Sequence, residues 1–428
     1  MQHVIPIDLN GDGRLDLLMN LWCASQAGQP NNGPVVNSVV ALIQTGPLIF
    51  EDQTREIFGT ESVNLGGVGI RYVKYDFNGD GLDDIVFAVN MEDHRLGSNT
   101  LVQNTALMSS GKGRYILERI GSPAFSQGLT LKDNDVGTKD VVLMPANEAL
   151  RYENGWNIVE RFDWIGWVET LFTPRSAPGR GSTLAFAQGT ASTDYFVYGS
   201  NEGRWQLVGE ETMSGRYVPF KSYTGDVGQT KLFSIDGRDY AIGGFLESRL
   251  FRKTRSGAYD MLTILVGKEI VGGYQGGMLD ENAGYPDMTQ MVLLGIDEKG
   301  VFGRLPLTVI DEVKGISPHR MITGDLDGDG FDDAIIYRWR KDERPLIYLN
   351  DGFGNLRRVA DRHIPSLSVN GNGHAGQLYA DLDGDGIPDL LYYPIAGAWS
   401  DFSSVRLQVF KGLRGLRTSD LISPPADF

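Results

Sequence analysis

Four nine-residue segments place oxygen-bearing side chains at alternate positions: DLNGDGRLD (8–16), DFNGDGLDD (76–84), DLDGDGFDD (325–333) and DLDGDGIPD (381–389). Their first, third, fifth and ninth residues are Asp8, Asn10, Asp12 and Asp16; Asp76, Asn78, Asp80 and Asp84; Asp325, Asp327, Asp329 and Asp333; and Asp381, Asp383, Asp385 and Asp389. This is hard-cation chemistry. Ca²⁺ takes about six to eight oxygen ligands at about 2.3–2.6 Å, and alternate residues of a tightly coiled loop aim their side chains at one centre. Glycines at the fourth and sixth positions permit the positive φ such coiling needs. The seventh position varies (Arg14, Leu82, Phe331, Ile387), as expected where only its backbone carbonyl is a ligand. The alternative is a set of solvated Asp-Gly turns without metal.

An EF-hand begins in the same way but requires a bidentate Glu at position 12 and flanking helices. Position 12 here is Met19, Phe87, Ile336 or Tyr392, and each loop runs directly into an apolar, strand-like segment beginning at Leu17, Ile85, Ala334 or Leu390. The loops therefore join strands. On these residues the sequence resembles the FG-GAP/VCBS repeat family, the calcium-loop β-propeller repeat of integrin α-subunit heads and many secreted bacterial proteins. The segment Ile347 to Asn355 also resembles the family's third strand and following turn. The resemblance implies up to four Ca²⁺ ions, each in a loop between the first and second strands of a blade.

The elements that must position these loops are short strands. The ninth-position aspartate can be followed through the middle of the chain as Asp140, Asp194, Asp239 and Asp287, each before an apolar run, so that eight such residues recur at intervals of 45 to 68. Four strands in about 53 residues is the size of a propeller blade. The expected fold is an all-β propeller of four-stranded blades forming one domain over 1–428. Eight blades are favoured, near 1–60, 61–122, 123–163, 164–222, 223–268, 269–313, 314–367 and 368–428, with seven as the alternative. The intact loops fall in units 1, 2, 7 and 8, which become neighbours if a ring closes. In unit 3 the first and fifth positions are Lys132 and Val136, and the retained Asp140 is expected to cap a turn through backbone bonds.

Composition narrows the partners. With 55 acidic and 39 basic residues the net charge is −16, which argues against nucleic acid or an anionic membrane. The four loops hold 16 aspartates, and four bound Ca²⁺ would halve that net charge. Glycine, at 55 of 428 residues, is about twice its usual frequency of ~7%. The lone Cys23 excludes an internal disulfide and a cysteine zinc cage. No run of about 18 apolar residues is present to span a membrane as a helix. The chain enters a strand-like segment at His3 without a signal peptide before it, so an exported protein is expected here in processed form. Weak extracellular calcium sites, with Kd of about 10⁻⁴ to 10⁻³ M, place the expected location outside the cell, at its surface or in the periplasm. The lack of an Asn-x-Ser/Thr sequon favours a bacterial source.

The face opposite the loops is the expected ligand surface. Its longer connections (23–37, 91–103, 338–344, 396–404 and 163–181) carry Trp22, His94, Arg95, Trp339, Arg340, Trp399, Trp164 and Trp167. Such side chains stack on sugars or anchor proteins, although a Trp beside an apolar strand is more often core. No nucleophile elbow, phosphate loop or histidine metal spacing occurs. The expected function is a recognition or adhesion module for carbohydrate or protein. The alternatives are a polysaccharide lyase-like enzyme on the same scaffold, with His374 as first candidate, or a scaffold domain of a larger exported protein.

Overall fold

The computed structural model describes residues 3–23, 36–61, 63–93, 98–111, 113–126, 128–134, 136–144, 146–161, 170–172, 183–188, 194–201, 204–212, 216–221, 225, 227–235, 237–252, 259–280, 287–295, 308–314, 318–327, 329–338, 344–353, 355–364, 374–395 and 407–411. Among these residues the chain is all-β, with a single five-residue α-helix, Thr54–Phe58, and a 3₁₀ turn, Asp361–His363. The strands divide between two compact units. One comprises Met1–Thr173, Glu202–Arg204 and Ser368–Arg414; the other comprises Pro174–Asn201, Trp205–Leu367 and Gly415–Phe428.

Four sheets of the first unit position candidate loops or their relatives. The N-terminal sheet runs His3–Ile7, Asp16–Cys23, Val36–Gly46, Ile49–Asp52, with Val63–Asn64 added along Val36–Gly46. The second runs Val68–Tyr75, Asp84–Asp93, Val102–Ser109, Tyr115–Ala124. The third runs Gly128–Asp133, Lys139–Met144, Glu148–Tyr152, Trp156–Arg161, and the C-terminal sheet runs His374–Ala380, Asp389–Ile395, Gln408–Phe410. All four are antiparallel meanders, so consecutive strands are hydrogen-bonded neighbours.

Side-chain alternation decides how these sheets stack. In Asp84–Asp93, Ile85, Phe87 and Val89 pack with Ile5, Leu18 and Val39 of the N-terminal sheet. Val86 and Ala88, pointing the other way, pack with Val141 and Leu143 of the third sheet. A strand covered on both faces reads as an unbroken apolar run, and that is why 85–89 contains no polar residue. On the far side of the N-terminal sheet, Val4 and Leu17 pack with Leu378, Leu391 and Tyr393 of the C-terminal sheet. The order of layers is thus C-terminal, N-terminal, second, third.

Polar side chains fasten adjacent layers. Asn20 Nδ2 donates to the Gly69 carbonyl at 2.8 Å, Lys74 Nζ to Pro6 O at 2.6 Å, and Gln44 Nε2 to Leu382 O. Gly69 is required by this close approach, since a Cβ there would lie 2.7 Å from Asn20 Nδ2 and 2.8 Å from Phe87 Cδ1.

In the second unit, Pro318–Gly324, Asp333–Arg338, Leu346–Asn350 and Leu356–Arg358 form a four-stranded meander. Its residues Met321, Ala334, Ile336 and Tyr348 pack on Phe251, Leu262 and Ile264. Here the arrangement departs from separate four-stranded units. Tyr259–Glu269 pairs both with Arg238–Arg252 and with Asp287–Gly295, so segments expected in units 5 and 6 share one seven-stranded sheet. A second departure lies in 91–103, expected as an open loop, where Ser98–Thr100 pairs back on Met91–Asp93.

Substituting Gly69→Ala should displace Asn20 or Phe87 and lower stability by about 1–3 kcal/mol, the usual cost of overpacking. A shift in the urea midpoint with an unchanged slope would register this loss.

Candidate metal centre

Each intact loop joins the first two strands of its sheet, and the ladder stops at the same place in all four. Ile7 pairs with Asp16, Tyr75 with Asp84, Gly324 with Asp333 and Ala380 with Asp389. The residue before the loop thus always faces the ninth position, leaving eight residues free to coil.

The coil is built by the carboxylates themselves. Asp8 accepts from the N–H groups of Gly11 (2.7 Å), Asp12 (3.2 Å) and Gly13 (2.8 Å). Asp76 accepts in the same way from Gly79, Asp80 and Gly81, and Asp381 from Gly384, Asp385 and Gly386. Asp325 accepts from Gly330 at 2.8 Å. The third-position oxygen takes the N–H of the fifth residue, and the fifth takes that of the seventh, as in Asn78 with Asp80 (3.0 Å) and Asp80 with Leu82 (3.0 Å). Glycine is needed where these bonds force φ to +77° at Gly11 and +83° at Gly13, a region costly for other residues.

The ninth aspartate does something different. Asp16 takes Leu9 N–H on Oδ2 and Gln44 N–H on Oδ1, both at 2.8 Å. Asp84 takes Phe77 N–H (2.8 Å) and Ser109 N–H (2.6 Å), and Asp333 takes Leu326 and Asn350 N–H, both at 2.8 Å. Asp389 accepts from Leu382 N–H at 3.0 Å. In the loops that end at Asp16, Asp84 and Asp333, one buried carboxylate therefore ties the start of the loop to the third strand. No local pattern marks Gln44, Ser109 or Asn350 as partners of the ninth aspartate, because they offer it only backbone N–H groups.

The donor set suits a hard cation. Carboxylate oxygens of Asp325, Asp327 and Asp333 lie within 4.8 Å of one another, as do those of Asp381, Asp383 and Asp385, so each cluster can hold a metal ion. Asn10 and Asn78 give the other two loops a neutral oxygen at the third position. These are the all-oxygen ligands that calcium and magnesium prefer, without nitrogen or sulfur. Burial pushes Asp84 up to about 7 and Asp333 up to about 8, despite their backbone hydrogen bonds, and raises Asp16 and Asp327 as well. Asp383 goes the other way, because the Lys411 ammonium pairs with it.

Unit 3 shows how the loop is held when its acidic set is lost. Asp140 is met by the Arg151 guanidinium, Nε to Oδ1 at 2.8 Å and Nη2 to Oδ2 at 3.1 Å, and by Asn134 Nδ2 at 2.9 Å. This replaces the expected backbone cap with a forked ion pair. Lys132, at the first position, pairs with Glu160 at 2.7 Å. The ladder is also longer, joining Leu131 to Val141, Lys132 to Asp140 and Asp133 to Lys139. Asp239 has yet another set of partners: it accepts from Tyr274 N–H at 2.8 Å and from Ser234 Oγ.

Of the expected ligand face, Trp22 lies in the strand Asp16–Cys23; His374, the candidate of the enzyme alternative, begins the strand His374–Ala380. His94, Arg95, Trp339, Arg340, Trp399, Trp164 and Trp167 lie outside the described residues.

Comparison with known proteins agrees with the repeat reading where the match is made. Residues 325–392 match the family model described as an FG-GAP-like repeat, a span that contains the last two intact loops and the strands between them. No curated protein matches the chain. Among solved structures, a putative 6-phosphogluconolactonase from Bacteroides fragilis aligns at 11% identity with a TM-score of 0.43, covering 86% of this chain and 84% of that one.

Two predictions follow from these charges. In metal-free protein, the stability conferred by protonated Asp84 and Asp333 is complete below their unfolded pKa of about 4 and is lost as pH rises through about 7 and 8. Thermal melts of dialysed, metal-free protein should therefore give a higher Tm at pH 5 than at pH 8.5, and a flat profile would contradict this. Arg151→Ala strands the Asp140 carboxylate, 1% exposed, and should cost about 3 kcal/mol by chemical denaturation. Asp140→Asn in the same chain should recover part of that loss, and added calcium should not.

Proposed function

We propose that this chain is a calcium-stabilised β-propeller module that works outside the cytosol, presenting a recognition or adhesion surface to carbohydrate or protein. The observation that carries this reading is the convergence of acidic oxygens in the loops 325–333 and 381–389, inside the segment that matches an FG-GAP-like repeat. The same spacing and hydrogen bonds recur in 8–16 and 76–84.

In this reading the sheets are blades, eight by the recurrence of the ninth-position aspartate if the seven-stranded sheet counts as two. When bound, Ca²⁺ supplies the positive charge that offsets repulsion among three or four neighbouring carboxylates. The remaining work is done by the chain. First- and fifth-position aspartates shape the loop and present oxygens, the third position adds a carboxylate or an amide oxygen, and the ninth fixes the loop to the sheet. Loops held in this way keep the first strands of neighbouring blades in place, so that connections on the opposite face form a stable surface.

The layering of the first unit supports this role for the ions. The loops 381–389, 8–16 and 76–84 belong to three consecutive layers, and Gln44, two strands beyond the 8–16 loop, reaches back to the Leu382 carbonyl in the 381–389 loop. Cations at these positions would reinforce the junction between the N-terminal and C-terminal sheets, which no covalent bond joins.

Calcium titration should show binding with Kd of about 10⁻⁴ to 10⁻³ M and a stoichiometry of up to four. At about 100 times Kd, each site contributes about 2.7 kcal/mol, so Tm should rise by several degrees and fall again with EDTA. An unchanged Tm at 10 mM calcium would overturn the metal reading. Glycan and protein arrays probed in calcium test the recognition role, and depolymerisation of a polysaccharide would replace it with catalysis.

A further inference from the structure

The loops 8–16 and 76–84 are not independent neighbours. A third segment, the turn carrying Ser109, Gly111 and Gly113 between Val102–Ser109 and Tyr115–Ala124, touches both. On the 76–84 side, Asn78 Nδ2 donates to Ser109 O at 2.7 Å and Ser109 N–H donates to Asp84 Oδ1 at 2.6 Å. A Cβ built on Gly111 would lie 3.6 Å from Asp80 Cβ, and Tyr115 OH donates to Asp83 O at 2.9 Å. On the 8–16 side, a Cβ on Gly113 would lie 3.3 Å from Asn10 Cα.

The loops also meet directly. Leu82, whose carbonyl is the expected seventh-position ligand, packs its side chain on Gly11, where a Cβ would come within 3.3 Å of Leu82 Cδ2. Thus Asn78, Asp80, Leu82 and Asp84 each touch either the shared turn or the other loop. Gly11, Gly111 and Gly113 all adopt positive φ, at 77°, 74° and 65°, so a side chain would be strained at each of them and also crowded at Gly11 and Gly113.

We propose that the loops 8–16 and 76–84 take up calcium cooperatively, coupled through the turn at Ser109–Gly113 and the Leu82–Gly11 contact. This rests on the calcium reading above and adds to it a regulation of the two sites. The physical basis is shared ordering. Drawing Asn78, Asp80 and Asp84 toward one centre fixes the turn that bears on Asn10, and fixing the Leu82 carbonyl seats its side chain on Gly11. A second ion then meets a loop whose neighbours are already placed, so less ordering remains to be done. Linkage requires the effect to be reciprocal, and coupling of this kind typically changes affinity by about 5- to 150-fold.

The test uses the full chain labelled with ¹⁵N-glycine. Gly11 and Gly13 donate their amides to Asp8, while Gly79 and Gly81 donate theirs to Asp76, so their resonances report the two loops separately. Calcium is titrated into the native protein, into the Asp76→Asn/Asp80→Asn variant, which silences the second loop, and into Asp8→Asn/Asp12→Asn, which silences the first. Each variant should weaken calcium binding at the untouched loop at least fivefold, and by the same factor in both directions. Leu82→Ala, which keeps both ligand sets, should lower the affinity of each loop and reduce that factor. If each loop binds with unchanged affinity when the other is silenced, the coupling is overturned while the calcium reading stands. If neither loop of the native protein binds calcium, both are overturned.

Discussion

The whole arrangement depends on a buried carboxylate with its oxygens turned in different directions. Asp16, Asp84 and Asp333 are fully buried, and each accepts one N–H from the second loop residue and another from the third strand of its sheet. A charge in such a place is unfavourable unless hydrogen bonds or a cation compensate it. The strand ladder provides the first kind of compensation wherever the loop occurs. The converging aspartates of the loop provide the opportunity for the second. The same residue thus joins the fold to the site, and removing it would affect both.

Much of this was legible in the sequence because it is written in alternation. Aspartate or asparagine at the first, third, fifth and ninth loop positions, glycines at the fourth and sixth, and apolar runs directly after the ninth residue placed four loops between strands, and the structure agrees at each of them. Other features left no such trace. The partners of the ninth aspartate are backbone groups at Gln44, Ser109 and Asn350, where the side chain is not what matters. Arg151 lies eleven positions beyond Asp140 on the next strand, and Lys411 lies far from Asp383 in sequence; only the fold brings these pairs together. The sharing of one sheet by the segments expected in units 5 and 6 was hidden for a related reason. A strand that pairs on both edges has the same local pattern as one at an edge, because backbone groups make the choice.

Comparison of the repeats shows two solutions to one electrostatic problem. In the loops 325–333 and 381–389, where all four oxygen positions are aspartates, carboxylates gather closely enough to hold a cation from solution. In unit 3 the cation belongs to the chain, as Arg151 against Asp140 and Lys132 against Glu160. Lys411 beside Asp383 is an intermediate case, a protein cation next to an otherwise complete set.

The extra rungs between Gly128–Asp133 and Lys139–Met144 carry a further consequence. In the intact loops the ninth residue faces the residue before the loop, whereas in unit 3 Asp140 faces Lys132, the first residue of the loop itself. The hairpin has slipped by one residue and zipped into space that a coil of ligands would occupy. Grafting aspartates onto positions 132 and 136 would still leave Asp135 where the intact loops have glycine, and the extra rungs in place. Unit 3 thus differs from the intact loops in strand register as well as in side chains.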